Sequence, residues 1–249
     1  MSRRDNADVR CPRCRMHESL CICALVPRIA TRTRLVLIIH LREHRKTTNT
    51  GRLAALCLPN SQVIVRGHES APREPFAWDS STQPLLLYPH DDAVPIAQFA
   101  QFGPSAQSAE TAQSNRPVTL VVPDGTWRQA SKVRNRVPGL RDVPCVCLPP
   151  DAPTNYRLRH ETRSEGLATI EAIARAFGFL EGASVRSALE QVFRAMVERT
   201  LWARGEIGAA EVSGGLPEGV VRHDPSGSMG PTEKRIPAQG SLTKWDESP

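Results

Sequence analysis

Leu35, Val36, Leu37, Ile38 and Ile39 form five consecutive apolar positions with no polar alternate, and no other feature restricts the fold so much. A strand with one face in water alternates apolar and polar side chains. A strand covered on both faces does not, and such coverage marks a parallel sheet lying between helices. The pattern returns at 118–122 (VTLVV), and further strands are expected at 62–66 (QVIVR), 85–88 and 145–148. Helices are expected at 51–58, closed by Pro59, at 126–136, at 167–179 and at 185–201. In the third, Ile170, Ile173, Ala174 and Phe177 share one stripe; in the fourth, Val185, Leu189, Val192, Phe193, Met196 and Leu201 share a broad face. Polar loops cover 40–50 and the stretch from 149 to 164. Strands alternating with helices predict an α/β fold, a mostly parallel sheet with flanking helices.

A chain of 249 residues suits one such domain, here spanning 28–204, with appendages. Only 5% of residues are aromatic and 21 are proline, so part of the length is expected outside the core. Residues 101–117 are Gln, Ser and Ala without apolar periodicity and read as an inserted loop. Residues 205–249, rich in Gly, Pro and Ser, read as a disordered tail. No internal repeat is present. No apolar run reaches the roughly 18 residues that a membrane span needs, and the N-terminus lacks the apolar stretch of a signal peptide, so a cytoplasmic protein without membrane contact is expected.

Residues 1–27 form a Cys-rich, Arg-rich head with too few aliphatic side chains to pack alone. Cys11 and Cys14, then Cys21 and Cys23, give CxxC-x6-CxC, and each close pair can place two thiolates on one metal. Four thiolates complete a closed tetrahedral zinc shell, structural rather than catalytic. Arg10, Arg13 and Arg15 are near enough in sequence to offset its charge, and His17 between the pairs is an alternative ligand. Cys57, Cys145 and Cys147 sit in apolar segments, as core cysteines do.

After the strand at 118–122 come Pro123, Asp124, Gly125, Thr126 and Trp127, just before a helix. Ligands of open α/β sheets bind at the carboxyl ends of strands, so an acid, a glycine, a hydroxyl and an indole here suit a binding crevice. They equally suit a plain strand-to-helix turn, with Asp124 and Thr126 as caps and Trp127 as core. A formal charge of +6 favours a polyanionic partner without requiring one.

The quartet Asp124-Gly-Thr-Trp127 resembles the DxTW signature of the DTW-domain family, the tRNA-uridine aminocarboxypropyltransferases. Four further segments resemble that family in the same order: the Cys cluster; the loop from His40 through Glu43, Arg45 and Thr48 to Asn49-Thr50-Gly51-Arg52; the segment Asn155-Tyr-Arg-Leu-Arg159; and the helix start Leu167-Ala-Thr169-Ile-Glu171. Leu41 stands where many relatives carry proline. The resemblance implies a SPOUT-like fold with a C-terminal trefoil knot. It also implies a reaction in which a uridine N3 of tRNA takes the 3-amino-3-carboxypropyl group of S-adenosylmethionine and methylthioadenosine leaves.

On that resemblance, Asp124, Thr126 and Trp127 are the catalytic candidates, Asp124 as proton acceptor, as the residue orienting N3, or as the holder of the cofactor's amino group. His40 and Glu43 are weaker candidates for the proton. Trp127, Ala130, Leu148, Asn155, Tyr156, Leu167 and Thr169, with Asp124, are expected around S-adenosylmethionine, where orientation selects the carbon transferred. His40, Arg45, Asn49, Thr50, Gly51, Arg52, Lys132 and Arg159 are expected at the RNA, with Arg42, Lys46, Arg157 and Arg163 nearby. Zinc is the structural metal and tRNA the partner, with no obligate protein partner implied. The competing readings are RNA methylation on the same fold and a non-catalytic, zinc-stabilised RNA-binding protein.

Overall fold

A computed structural model describes residues 9–67, 75–100, 116–158 and 166–222. Its strands are β1 (Arg34–His40), β2 (Ser61–Arg66), β3 (Gln83–Leu87), β4 (Val94–Pro95), β5 (Val118–Asp124) and β6 (Cys145–Cys147). They form one six-stranded sheet in the order β2-β1-β5-β3-β6-β4, and every pairing is parallel. The helices are α1 (Leu41–His44), α2 (Gly51–Cys57), α3 (Trp127–Ala130), α4 (Val133–Arg136), α5 (Thr169–Leu180) and α6 (Ala183–Ala203).

The unbroken apolar strands are explained by two cores, one on each face of the sheet. Leu35 and Leu37 of β1, Leu120 and Val122 of β5, and Leu85 and Leu87 of β3 pack with α2, α5 and α6. Their alternates Val36, Ile38, Val121 and Leu86 pack against Val137, Leu140 and Val143 on the other side. Leu37 and Ile38 are 0% and 2% exposed, so truncating either to Ala costs about 2–5 kcal/mol. β1 and β5 thus become the middle of a covered layer, and register brings Ile39 opposite Asp124 at their carboxyl ends.

Several elements depart from the expected pattern for local reasons. The polar loop after β1 contains α1, started by His40, whose Nδ1 accepts the N–H of Arg42 at 3.2 Å. Leu41 therefore occupies the first helical position, where proline is also favoured, so the chain keeps its path without one. The helix expected at 126–136 is two short helices, and the Ser131 hydroxyl between them turns back to the Arg128 carbonyl. β4 has two residues, too short for periodicity, and its Pro95 is tolerated on an edge strand. α5 starts at Thr169, two residues later than expected, and α6 runs two residues further at each end.

The stretch 205–222 is built onto α6, with Val212 buried and the carbonyls of Gly214 and Gly215 taken by Arg199. Residues 223–249 of the expected tail, 101–115 of the expected insertion, Arg159 and Arg163 lie outside the described residues. Among the described residues no helix is long and apolar enough to cross a membrane.

Candidate active site at the carboxyl ends of the strands

Asp124 ends the central strand β5, and its carboxylate gathers two distant segments, the loop before α2 and the start of α5. Oδ2 accepts from the Asn49 side-chain amide at 2.6 Å, and Oδ1 accepts from the Thr169 hydroxyl at 2.6 Å. The Asn49 carbonyl oxygen in turn accepts the N–H of Arg52 at 2.9 Å, so one orientation of that amide satisfies both neighbours. The Thr50 hydroxyl accepts the N–H of Ile170 at 3.4 Å. Gly51 is required by contact: a Cβ there would stand 2.7 Å from Asp124 Oδ2 and 3.1 Å from Leu37 Cδ1. Asp124 is 7% exposed, and a buried carboxylate persists only when its oxygens are hydrogen-bonded in this way.

A second carboxylate braces the approach from the other side. Glu171 accepts from the Thr154 hydroxyl at 2.5 Å and from the N–H groups of Asn155 and Ala168 at 2.8 Å each. Tyr156 is buried with its ring beside Phe193, and its hydroxyl donates to the Thr48 carbonyl at 2.8 Å. Loop 154–156 is thereby tied both to the start of α5 and to the loop before α2.

Thr126 closes the turn after β5. Its hydroxyl accepts the N–H of Gln129 at 3.3 Å, and the Gln129 side chain accepts the N–H of Thr126 at 2.8 Å, a complete capping box. Trp127 follows, half-buried, with its ring centroid 6.2 Å from that of Tyr88. The acid therefore faces the loops while the hydroxyl shapes the helix start, a division that the bare motif leaves undecided.

In the head, Cys11 and Cys23 Sγ are 3.5 Å apart, Cys14 and Cys21 Sγ 3.7 Å, and all four lie within 4.8 Å of one another. Zinc–thiolate bonds of about 2.3 Å in a tetrahedron put sulfurs about 3.8 Å apart, so the four thiols fit a zinc ion. The turn closes through Arg15, whose φ of 65° is left-handed and whose N–H reaches the Cys11 carbonyl at 2.9 Å. His17 instead holds Ser19 through Nδ1 and lies outside the four-ligand group. Burial opposes ionisation of the thiols, raising Cys21 and Cys23. At Cys11 the N–H groups of Cys14 and Arg13 and the neighbouring thiols outweigh it and bring the group to about 7.

The family model of the DTW domain matches residues 8–201, from just before the first cysteine pair to the last turn of α6. This chain belongs to the DTW domain family. Curated relatives include tRNA-uridine aminocarboxypropyltransferase 2 of Macaca fascicularis, 28% identical over 177 residues, or 69% of this chain and 56% of that protein. The protein of the same name from Drosophila melanogaster is 27% identical over 179 residues, covering 69% and 66%. tRNA-uridine aminocarboxypropyltransferase A of Arabidopsis thaliana is 26% identical over 210 residues, covering 75% and 79%. The chain thus spans between half and two thirds of the length of the first two. No solved structure matches it.

Within this DTW domain the expected site residues divide by what they touch. Asp124, Asn49, Thr50, Gly51 and Thr169 meet directly, while Trp127 and Ala130 are half-buried on α3. Leu148 and Leu167 are half-buried on the two later loops, and Asn155 is exposed. His40 is packed under Gly67, whose φ is +88° and whose added Cβ would lie 2.8 Å from Nε2. Glu43 is buried and paired with Lys46. Arg45 and Arg42 are exposed, and Arg52 and Lys132 are half-buried. Near them His44 has a buried Nδ1 with no hydrogen-bond partner among the described residues, and burial, then the charges of Arg52 and Arg15, lower its pKa. The cysteine head and the loop before α2 therefore share one basic neighbourhood.

Two residues absent from the candidate set also shape the DTW domain. Tyr88, at the carboxyl end of β3, supplies the ring beside Trp127. Arg199, 4% exposed, donates to the carbonyls of Cys21 at 2.5 Å and Gly215 at 3.0 Å, joining head, α6 and the segment beyond it. Its sequence signal is a charge on an apolar stripe, seven residues after Val192 and three after Met196.

Proposed function

We propose that this protein transfers the 3-amino-3-carboxypropyl group of S-adenosylmethionine to N3 of a uridine in tRNA and releases methylthioadenosine. The observation carrying the reading is the meeting of three separated family segments on Asp124, at the carboxyl end of the central strand and beside Trp127. The names of the curated relatives support the same chemistry.

S-adenosylmethionine supplies an activated carbon next to sulfur; the protein's part is placement. Trp127 and Ala130, one helical turn apart, with Leu148, Leu167 and Thr169, form the wall that fixes which carbon faces the base, and such positioning is worth several kcal/mol of barrier. Asp124, its carboxylate held by Asn49 and Thr169, is the residue that orients the uridine N3–H and takes its proton as N3 attacks. Asn49, Thr50 and Gly51 hold that carboxylate in place, and Thr126 sets the angle of the indole. Arg45, Arg52, Lys132 and Arg159 take the RNA backbone. Zinc in the four-cysteine head is structural, and thiols kept for metal suit the reducing cytoplasm.

The SPOUT-like knot belongs to this reading. What supports it are two contacts made by the chain after β6, Tyr156 with the Thr48 carbonyl and Thr169, the first residue of α5, with Asp124.

The test is incubation of the protein with tRNA and S-adenosylmethionine carrying label either on the methyl carbon or on the carboxyl carbon, followed by nucleoside mass spectrometry. Carboxyl label on uridine with release of methylthioadenosine is expected. Methyl label on the RNA, or no binding of S-adenosylmethionine by calorimetry, overturns the reading.

A further inference from the structure

A cavity of about 320 Å³ opens at the opposite end of the sheet from Asp124, among the amino ends of β1, β2, β3 and β5. Arg34, Gln62, Thr82 and Thr119 line it at these ends, and Arg32 stands just before β1. β1 is seven residues long, so the cavity lies about 20 Å from the crevice that Asp124 closes. Its volume is at the low end of the roughly 300–1,000 Å³ of small-ligand sites and accommodates one nucleoside.

One wall is aromatic. The Phe76 and Trp78 rings are 5.1 Å apart and 8° from parallel, both half-buried. The stack is fixed from behind: Trp78 Nε1 donates to the Gly139 carbonyl at 2.9 Å, and the Phe76 N–H donates to the Pro138 carbonyl at 3.2 Å. Gly139, at φ +86°, lets the backbones meet this closely, since a Cβ there would stand 2.8 Å from the Phe76 nitrogen. The two rings pack against the second core and also line the cavity, and a pair of flat rings held in this way is a stacking platform for a base. Arg32 and Arg34 provide positive charge beside it, and Gln62 orients the Arg34 guanidinium at 2.8 Å. Asp79, the acid of the lining, accepts the N–H and hydroxyl of Ser81 at 2.8 and 2.7 Å, and it feels the charges of Arg116 and Arg34, so it offsets only part of the positive charge that Arg32 and Arg34 bring.

We propose that this cavity is a second RNA site, in which one unpaired nucleotide of the substrate tRNA stacks its base on the Phe76–Trp78 pair and sets its phosphate against Arg32 and Arg34. The inference rests on tRNA being the substrate. A site 20 Å from the chemistry reads the shape of the whole RNA rather than the modified uridine. It contributes to binding and leaves the transfer step alone.

The experiment uses the full chain. Ultraviolet cross-linking of unmodified tRNA to wild-type protein, with peptide mass spectrometry, is expected to place a nucleotide on Phe76 or Trp78. In Trp78→Leu the affinity for tRNA is expected to fall roughly five- to a hundredfold, with KM for tRNA raised in step and kcat at saturating tRNA unchanged. Should that variant not fold, Arg34→Gln on the exposed rim takes its place, and the cross-link decides independently. Wild-type affinity in a folded variant together with no cross-link at 76–78 overturns the site. So does adenosine monophosphate that binds here while leaving tRNA affinity untouched, since the cavity would then serve a free nucleotide. Wild-type protein that modifies no tRNA at all instead overturns the reading of the function, a result separate from the behaviour of Trp78.

Discussion

Asp124 carries charge and also holds loops together, and two substitutions separate these tasks. In Asp124→Asn the remaining oxygen can still accept from Asn49 while the new amide donates to the Thr169 hydroxyl, which can turn to accept. The bracket survives and the charge is lost, so melting is expected to stay within a few degrees of wild type while turnover falls by at least about a hundredfold in a label-transfer assay. Gly51→Ala does the reverse. Its Cβ would press on Asp124 Oδ2 at 2.7 Å, forcing the carboxylate or α2 to move, and both melting temperature and S-adenosylmethionine affinity should drop. If Asp124→Asn retained full turnover, the acid would be a bracket alone. This residue was legible because it ends a run of buried apolar positions, where an acid needs a reason. The structural part that Tyr156 plays was not legible in the same way: a tyrosine in a polar loop suggests a ligand contact and gives no sign that its hydroxyl also donates to the Thr48 carbonyl across 108 residues of sequence.

Among elements, the cysteine head depends on two supports of different kind. The four clustered cysteines, which could hold a metal ion, close it locally, and Met16 and Ile22 root it in the main core. Arg199 then ties it to α6 and to residues 214–215 through carbonyl oxygens. Arg199→Ala removes a buried guanidinium and leaves these part-buried carbonyls without their donor, and is expected to lower the melting temperature by about 5 °C, read by calorimetry. Arg199→Lys should recover only part of that loss, because an ammonium group lacks the planar fork that reaches several acceptors at once. Cys11→Ser with Cys14→Ser is expected to lose about one equivalent of metal in elemental analysis, and unchanged metal content would remove zinc from the head. The strands and long helices were legible because burial imposes a period on them. α1, β4 and the break between α3 and α4 were not, since they are set by single contacts such as His40 on the Arg42 N–H and the Ser131 hydroxyl on the Arg128 carbonyl.

For the whole molecule, the sheet separates two regions of positive charge. Arg42 and Arg45 stand in the loop by the carboxyl ends, and Arg32 and Arg34 stand at the amino ends. A formal charge of +6 does not say which region would meet the proposed tRNA substrate, but the salt dependence of binding does, because each phosphate neutralised releases counterions and steepens the fall of affinity with salt. Arg42→Ala with Arg45→Ala, two exposed residues, is expected to flatten the slope of log K against log salt by roughly one unit for each phosphate contact removed. Trp78→Leu removes stacking rather than charge, so its plot should be displaced downward with the slope kept. Filter binding of one tRNA across a salt series measures both. A slope unchanged in the double variant would mean that the basic loop beside Asp124 does not touch the backbone, and the RNA would then have to approach the crevice from the side of Lys132 and α4.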